Sequence, residues 1–169
     1  PVQFTLNATA QTIEVAPRET LAAAVRDGCR ATSVRIGCDD GSCGACTAIV
    51  DGEAIRTCLM LAVQADGADV RTVESLADGA TLHPLQKAFE ENFAVACGYC
   101  TPGFLMLALA ALEARPNATD AEIEALAATN YCRCTGYLPI VRALKAGRQQ
   151  MAARAQAPRG RGGRDGASE

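Results

Sequence analysis

The amino-acid sequence predicts an α+β fold class. A small mixed sheet packed on a helix occupies residues 1–77, a four-helix domain occupies 78–150, and a flexible Arg/Gly-rich tail occupies 151–169. Three observations predict it. Apolar residues alternate with polar ones only in the first half. Asp51-Gly52 sits between two short apolar runs, and from His83 onward proline and threonine mark one helix start after another.

In chain order, Val2, Phe4 and Leu6 alternate with polar neighbours, and Ile13 and Val15 do so again after the polar stretch from Asn7 to Thr12, the pattern of a β-hairpin. Residues 19–27 predict a short helix with Leu21, Ala24 and Val25 on one face and Gly28 as its stop. The segment 37–46 is rich in glycine and cysteine, follows neither period, and is expected as an irregular loop. Residues 47–50 and 54–57 flank Asp51-Gly52, the strongest short hairpin signal, and 70–73 offers one more strand.

In the second half, Pro84 opens a helix to about Phe93 with Leu85, Ala88 and Phe89 inward. Thr101-Pro102 supplies a cap and a first-turn proline for the apolar helix through Ala114. Thr119 with Glu122 three residues on is a capping box for the helix carrying Ile123 and Leu126, and Pro139 starts a last helix through Ile140, Val141 and Leu144. The connection near 74–80 is the expected domain boundary. Beyond Gly147 apolar residues thin out, and from Pro158 the composition is that of a solvated tail.

The formal net charge of −3 argues against nucleic acid as the main partner, since phosphate binding needs clustered positive charge. The longest apolar stretch, 104–112, is too short to span a bilayer, so no membrane span is expected. The first fifteen residues lack the charged start and continuous apolar run of a secretory signal. A cytoplasmic, reducing location is therefore expected, which disfavours disulfides among the nine cysteines.

Cysteine spacing carries the chemistry. Cys38, Cys43 and Cys46 form CxxxxCxxC, and Cys58 follows across the Asp51-Gly52 hairpin, the ligand pattern of a plant-type ferredoxin. A [2Fe-2S] cluster needs four thiolates, and a loop with Gly37, Gly41 and Gly44 can curl close around it. Buried free thiols are a poor account of a hydrophilic loop. Structural zinc typically takes paired CxxC knuckles, which this spacing does not match.

Cys97 and Cys100 form CxxC just before the Thr101-Pro102 helix start, and Cys132 and Cys134 form CxC just before the Pro139 helix. Each pair lies near a helix N-terminus, where free amides and the dipole favour an anionic four-thiolate group. CxxC alone would fit a thioredoxin-like dithiol, but no βαβ context surrounds it and a second pair lies downstream. Four thiolates at two helix ends would suit a second cluster, and zinc stays open for this set.

Taken together, the segments GCDDGSCGACT (37–47), CGYCTPG (97–103) and NYCRCTGY (130–137) resemble the xanthine oxidase family of molybdenum hydroxylases. The match is to the separate small subunit of the carbon monoxide dehydrogenase type, over roughly residues 1–147. The resemblance implies a β-grasp [2Fe-2S] ferredoxin-like domain, then a helical [2Fe-2S]-binding domain. It implies a large partner subunit carrying molybdenum on a pterin, and usually a medium subunit carrying FAD. Electrons would pass from molybdenum to the helical-domain cluster, then to the ferredoxin-like cluster, then to FAD or another acceptor. The sequence departs from the family at Ala96, where a pterin-contacting glutamine is common, and at Thr129, where glycine often stands.

No residue set suggests a substrate site, so the chain is expected to be the non-catalytic subunit of an oxidoreductase. Cys29 is expected as a packed thiol and His83 as a cap or turn residue. Tyr99 and Arg133 are expected either to tune or shield the second cluster or to face the large subunit. The rival classes are a free two-cluster ferredoxin and a zinc-stabilised interaction module.

Overall fold

The computed structural model describes residues 1–156. A five-stranded sheet with order β2-β1-β5-β3-β4 is built from β1 (Val2–Leu6), β2 (Thr9–Ile13), β3 (Thr47–Val50), β4 (Glu53–Arg56) and β5 (Asp69–Arg71). The hairpins β1–β2 and β3–β4 are antiparallel, and β5 joins them by pairing parallel to β1 and antiparallel to β3.

The first hairpin differs from expectation in its turn. Most of the polar stretch is strand β2, because the reversal takes only Asn7 and Ala8, both at positive φ (50° and 64°), as a tight two-residue turn requires. As the edge strand, β2 keeps much of its surface in water, so polar residues there cost little. The second hairpin turns at Asp51-Gly52 with φ of 50° and 87°.

Thr20 caps the short helix α1 (Leu21–Ala23), its hydroxyl accepting from the Ala23 amide, and the chain widens into a π-helical turn over Ala24–Gly28. Leu21, Ala22 and Val25 pack with Val2, Phe4, Leu6, Ala48 and Val70 to form the sheet-domain core.

Four helices follow: α2 (Pro84–Glu91), α3 (Thr101–Ala114), α4 (Asp120–Ala127) and α5 (Leu138–Gln156). His83 caps α2, its Nδ1 accepting from the Leu85 amide while Gln86 accepts from the His83 amide. Burial lowers the His83 pKa. Thr119 and Glu122 form the expected capping box of α4. Helix α5 runs through Gln156, so the start of the expected tail at 151 is corrected. Gln, Met, Ala and Arg are good helix formers, and Met151 packs on the helical core, so the loss of apolar residues does not end the helix. The rest of the expected tail, 157–169, lies outside the described residues.

Helix α3 is apolar on all sides because it is central, with Phe104, Leu105, Met106, Ala108 and Leu109 buried. Ile49 of β3 belongs to this helical core, whereas Ala48 and Val50 point into the sheet-domain core. A strand covered on both faces reads as a continuous apolar run, which is why residues 47–50 lack clean alternation. No helix among the described residues is long and apolar enough to cross a membrane.

Candidate metal centres

The loop between the π-turn and β3 carries Cys38, Cys43 and Cys46, and a 3₁₀ turn directly after β4 carries Cys58. The strand pairing brings these positions together: β3–β4 register sets Thr47 opposite Arg56, and the Thr57 hydroxyl donates to the Cys46 carbonyl at 2.7 Å. The thiols lie as two pairs, Cys38 beside Cys43 and Cys46 beside Cys58. Backbone amides aim at sulfur, Cys43 N–H at Cys38 Sγ (3.3 Å) and Ala45 N–H at Cys43 Sγ (3.5 Å).

The second set is also two pairs. Cys97 and Cys134 Sγ atoms stand 3.6 Å apart, both exposed, and Cys100 hydrogen-bonds to Cys132 further inside. The Cys132 sulfur meets the Thr135 hydroxyl at 3.1 Å. Tyr137 holds this loop closed: its hydroxyl accepts from the Cys132 amide (3.0 Å) and donates to the Asn130 carbonyl (3.1 Å).

Electrostatics splits most pairs. Asp40 beside Cys38 raises that thiol's pKa, but amides of Asp40 and Cys43 with the Ser42 hydroxyl outweigh it, bringing it down to about 7. Burial pushes Cys43 up, and burial with Cys46 alongside pushes Cys58 up to about 12. In the second set, burial and the neighbouring Cys132 push Cys100 up to about 12, and Cys97 raises Cys134. The Tyr99 amide lowers Cys97, and for Cys132 the Thr135 hydroxyl and nearby amides overcome burial. Crowded thiols resist joint ionisation unless a cation joins them, so the donor set fits a metal group that takes thiolates. The arrangement is two by two in each set, which suits a group with two metal atoms better than a single zinc ion.

The two sets are neighbours. The Gly44-Ala45 backbone lies directly on α3, where a Cβ at Gly103 would stand 2.2 Å from the Gly44 carbonyl oxygen. A Cβ at Gly44 would overlap the buried Asn130 side chain, which donates to that same carbonyl at 3.3 Å. The Tyr131 amide donates to the Cys43 carbonyl at 2.9 Å, so one hydrogen bond joins a cysteine of the first set to the residue before Cys132.

All eight cysteines singled out by spacing are thus brought into the two sets. Cys29 stands apart against the sheet-domain core, with burial raising its pKa, and His83 is a helix cap. The Tyr99 hydroxyl donates to the Ile36 carbonyl at 3.0 Å, tying the second set's loop to the sheet domain. Asn130 opens the NYCRCTGY segment, yet its bridging role is set by the fold alone. Arg35 and Arg56, which reach from the sheet domain to the second set, had no sequence signal beyond standing near cysteines.

Residues 4–79 match the 2Fe-2S iron-sulfur cluster binding domain model, and residues 72–145 match the [2Fe-2S] binding domain model. The chain is 48% identical over 143 residues to the nicotine 6-hydroxylase small subunit of Paenarthrobacter nicotinovorans, covering 85% of this chain and 86% of that one. It is 47% identical over 147 residues to caffeine dehydrogenase subunit gamma of Pseudomonas sp. (strain CBB1), covering 85% and 88%. Its fold superposes on a chain of the quinoline 2-oxidoreductase crystal structure from Pseudomonas putida 86 with a TM-score of 0.86. That match has 38% identity and covers 92% of this chain and 97% of the other. The chain therefore belongs to the family of small, two-cluster [2Fe-2S] electron-transfer subunits of multi-subunit molybdenum hydroxylases.

Proposed function

We propose that Cys38, Cys43, Cys46 and Cys58 ligate one [2Fe-2S] cluster and Cys97, Cys100, Cys132 and Cys134 the other. The close pairs, Cys38 with Cys43, Cys46 with Cys58, Cys97 with Cys134 and Cys100 with Cys132, would each serve one iron. When bound, each cluster supplies one-electron chemistry. The chain's own contribution is to hold both sets rigidly and adjacent. One observation carries this reading: eight thiols in two paired sets, joined by the hydrogen bond from Tyr131 to the Cys43 carbonyl.

The chain then conducts electrons from a molybdenum-pterin site in a large partner subunit towards FAD in a medium subunit, or another acceptor. Support for the docking side comes from the surface. Cys97, Cys134 and Ala96 are exposed, and Val95, the residue before Ala96, lines a groove of about 500 Å³ together with Leu82, Phe89, Phe93 and Leu105 and the polar Gln86, Glu90 and Thr101. Phe93 is 86% exposed, an unusual position for a phenylalanine unless another surface covers it. Ala96 offers no side-chain hydrogen bond, so this chain would meet the pterin there without the glutamine contact.

An N-heterocycle is the substrate class we propose for the assembled enzyme, because relatives at 42–48% identity are named for nicotine, caffeine and nicotinate. A cytoplasmic location follows if the thiols are to stay reduced until metal arrives.

Native purification tests the reading. The chain should travel with a larger, molybdenum-containing subunit, and each chain should hold four irons and four inorganic sulfides. Cys43→Ser should abolish or strongly perturb one of two [2Fe-2S] paramagnetic signals and spare the other. A partner-free active monomer, or zinc in place of iron, would overturn it.

A further inference from the structure

Two arginines of the sheet domain reach across to the second cysteine set, one to each of its halves. Arg35, three residues before Cys38, donates from Nη1 to the Gly98 carbonyl at 2.7 Å, inside the Cys97–Cys100 turn. Its guanidinium also lies 5.3 Å from the centroid of the Tyr99 ring. Arg56, two residues before Cys58, donates from Nη2 to the Thr129 carbonyl at 2.5 Å and to Asn130 Oδ1 at 3.4 Å, just ahead of Cys132. Both side chains are partly buried, and among the described residues neither forms an ion pair with a carboxylate. Arg56 Nε is buried with no hydrogen-bond partner among them.

A cation without an acidic partner is costly to desolvate, and a backbone carbonyl compensates only part of that cost. These two cations nevertheless occupy the seam between two four-thiolate sets. We propose that Arg35 and Arg56 are positioning residues that supply the positive charge at this seam, holding the two loops together and raising the reduction potential of the clusters on either side.

The inference rests on the ligand assignment above. A four-thiolate [2Fe-2S] group is anionic, and each reduction adds one more negative charge. Two such groups side by side oppose each other's reduction, and a fixed cation between them offsets that repulsion. Placing the carbonyl acceptors of both arginines next to cysteines ties the charge to the geometry. Each guanidinium bonds a peptide one or a few residues from a ligand of the second set, and each Cα lies as close in sequence to a ligand of the first.

The test uses the full chain purified with its clusters and partner subunits. Arg35→Gln and Arg56→Gln remove charge while keeping a polar side chain, and Arg35→Lys and Arg56→Lys keep charge but lose the fork. Redox titration, followed by the paramagnetic signals of the two clusters, should show the Gln variants with lower midpoint potentials. A tenfold loss in the reduction equilibrium corresponds to 59 mV for one electron. The Lys variants should stay near wild type, with iron and sulfide content unchanged. Unchanged potentials in both Gln variants would overturn the proposal, as would Lys variants shifted as far as Gln. Cluster loss with Gln but not with Lys would support it, and cluster loss with both would reduce the arginines to structural staples and overturn it. If the wild-type chain showed no pair of [2Fe-2S] signals, the ligand assignment itself would have failed, a result separable from any of these.

Discussion

Gly103→Ala should be the most informative single-methyl change in the molecule, because two effects oppose each other there and their sizes differ. Gly103 is in the first turn of α3, and alanine in a helix is worth about 1 kcal/mol over glycine. Against this, the new Cβ would stand 2.2 Å from the Gly44 carbonyl oxygen and 3.1 Å from Ala45 Cα, where carbon contacts are optimal at about 3.5–4.0 Å. These are backbone atoms between Cys43 and Cys46, so no rotamer change can clear them. Overpacking of this kind costs about 1–3 kcal/mol, occasionally more, and an immovable neighbour puts it at the upper end. The net expectation is destabilisation by ~2 kcal/mol, or about 4–8 °C in Tm for a chain of this size. Gly147→Ala is the control, since it gains the same propensity and its Cβ meets chiefly the movable end of Leu85, Cδ2 at 2.6 Å. That variant should stay within about 1 kcal/mol of wild type. Circular dichroism gives Tm, and the paramagnetic spectrum of the reduced chain gives the magnetic coupling between clusters, which Gly103→Ala should weaken by prising the loops apart. Equal Tm values for the two variants, with normal coupling in both, would refute the close apposition of α3 and the first loop.

Cys100→Ala should cost the helical-domain cluster while leaving the first cluster reducible by dithionite. In the assembled enzyme, substrate should no longer reduce the first cluster, and reduction at the normal rate would refute the series order. Glu74, in the connection after β5, accepts from the Ser33 hydroxyl (2.5 Å) and amide (3.0 Å) and from the Thr72 hydroxyl (2.5 Å). Burial acts to raise its pKa, but these donors outweigh it and hold the carboxyl below its ordinary 4.5. Its stabilising contribution is therefore present above that value and lost as pH falls through the depressed one. Glu74→Gln should accordingly be less stable near neutrality and show a smaller loss as pH falls below 4.5, measured by urea unfolding at each pH. Thr119→Ala removes the oxygen that accepts from the Glu122 amide (3.3 Å) and should cost about 1 kcal/mol, with Thr119→Ser recovering most of it.

Local chemistry made much of this protein legible before any fold was known. Asp51-Gly52 needs positive φ at both positions to reverse a chain, and it does so here; Pro84 and Thr119 satisfy or avoid orphan amides at helix starts, and both open helices. The choice of cysteines was equally local, because a cluster loop must place thiolates at short fixed spacings. The reversal at Asn7-Ala8 and the extension of α5 to Gln156 escaped such rules, since an edge strand tolerates polar residues and a docked helix tolerates sparse apolar ones. Which thiol lies beside which depends on chain segments far apart, Cys46 with Cys58 across a hairpin and Cys97 with Cys134 between helices. The seam between the sets is a property of tertiary structure alone. Gly44, Gly103, Asn130, Arg35 and Arg56 acquire their roles only where two domains press backbone against backbone, and no period, cap or spacing in one segment encodes what the other will place opposite it.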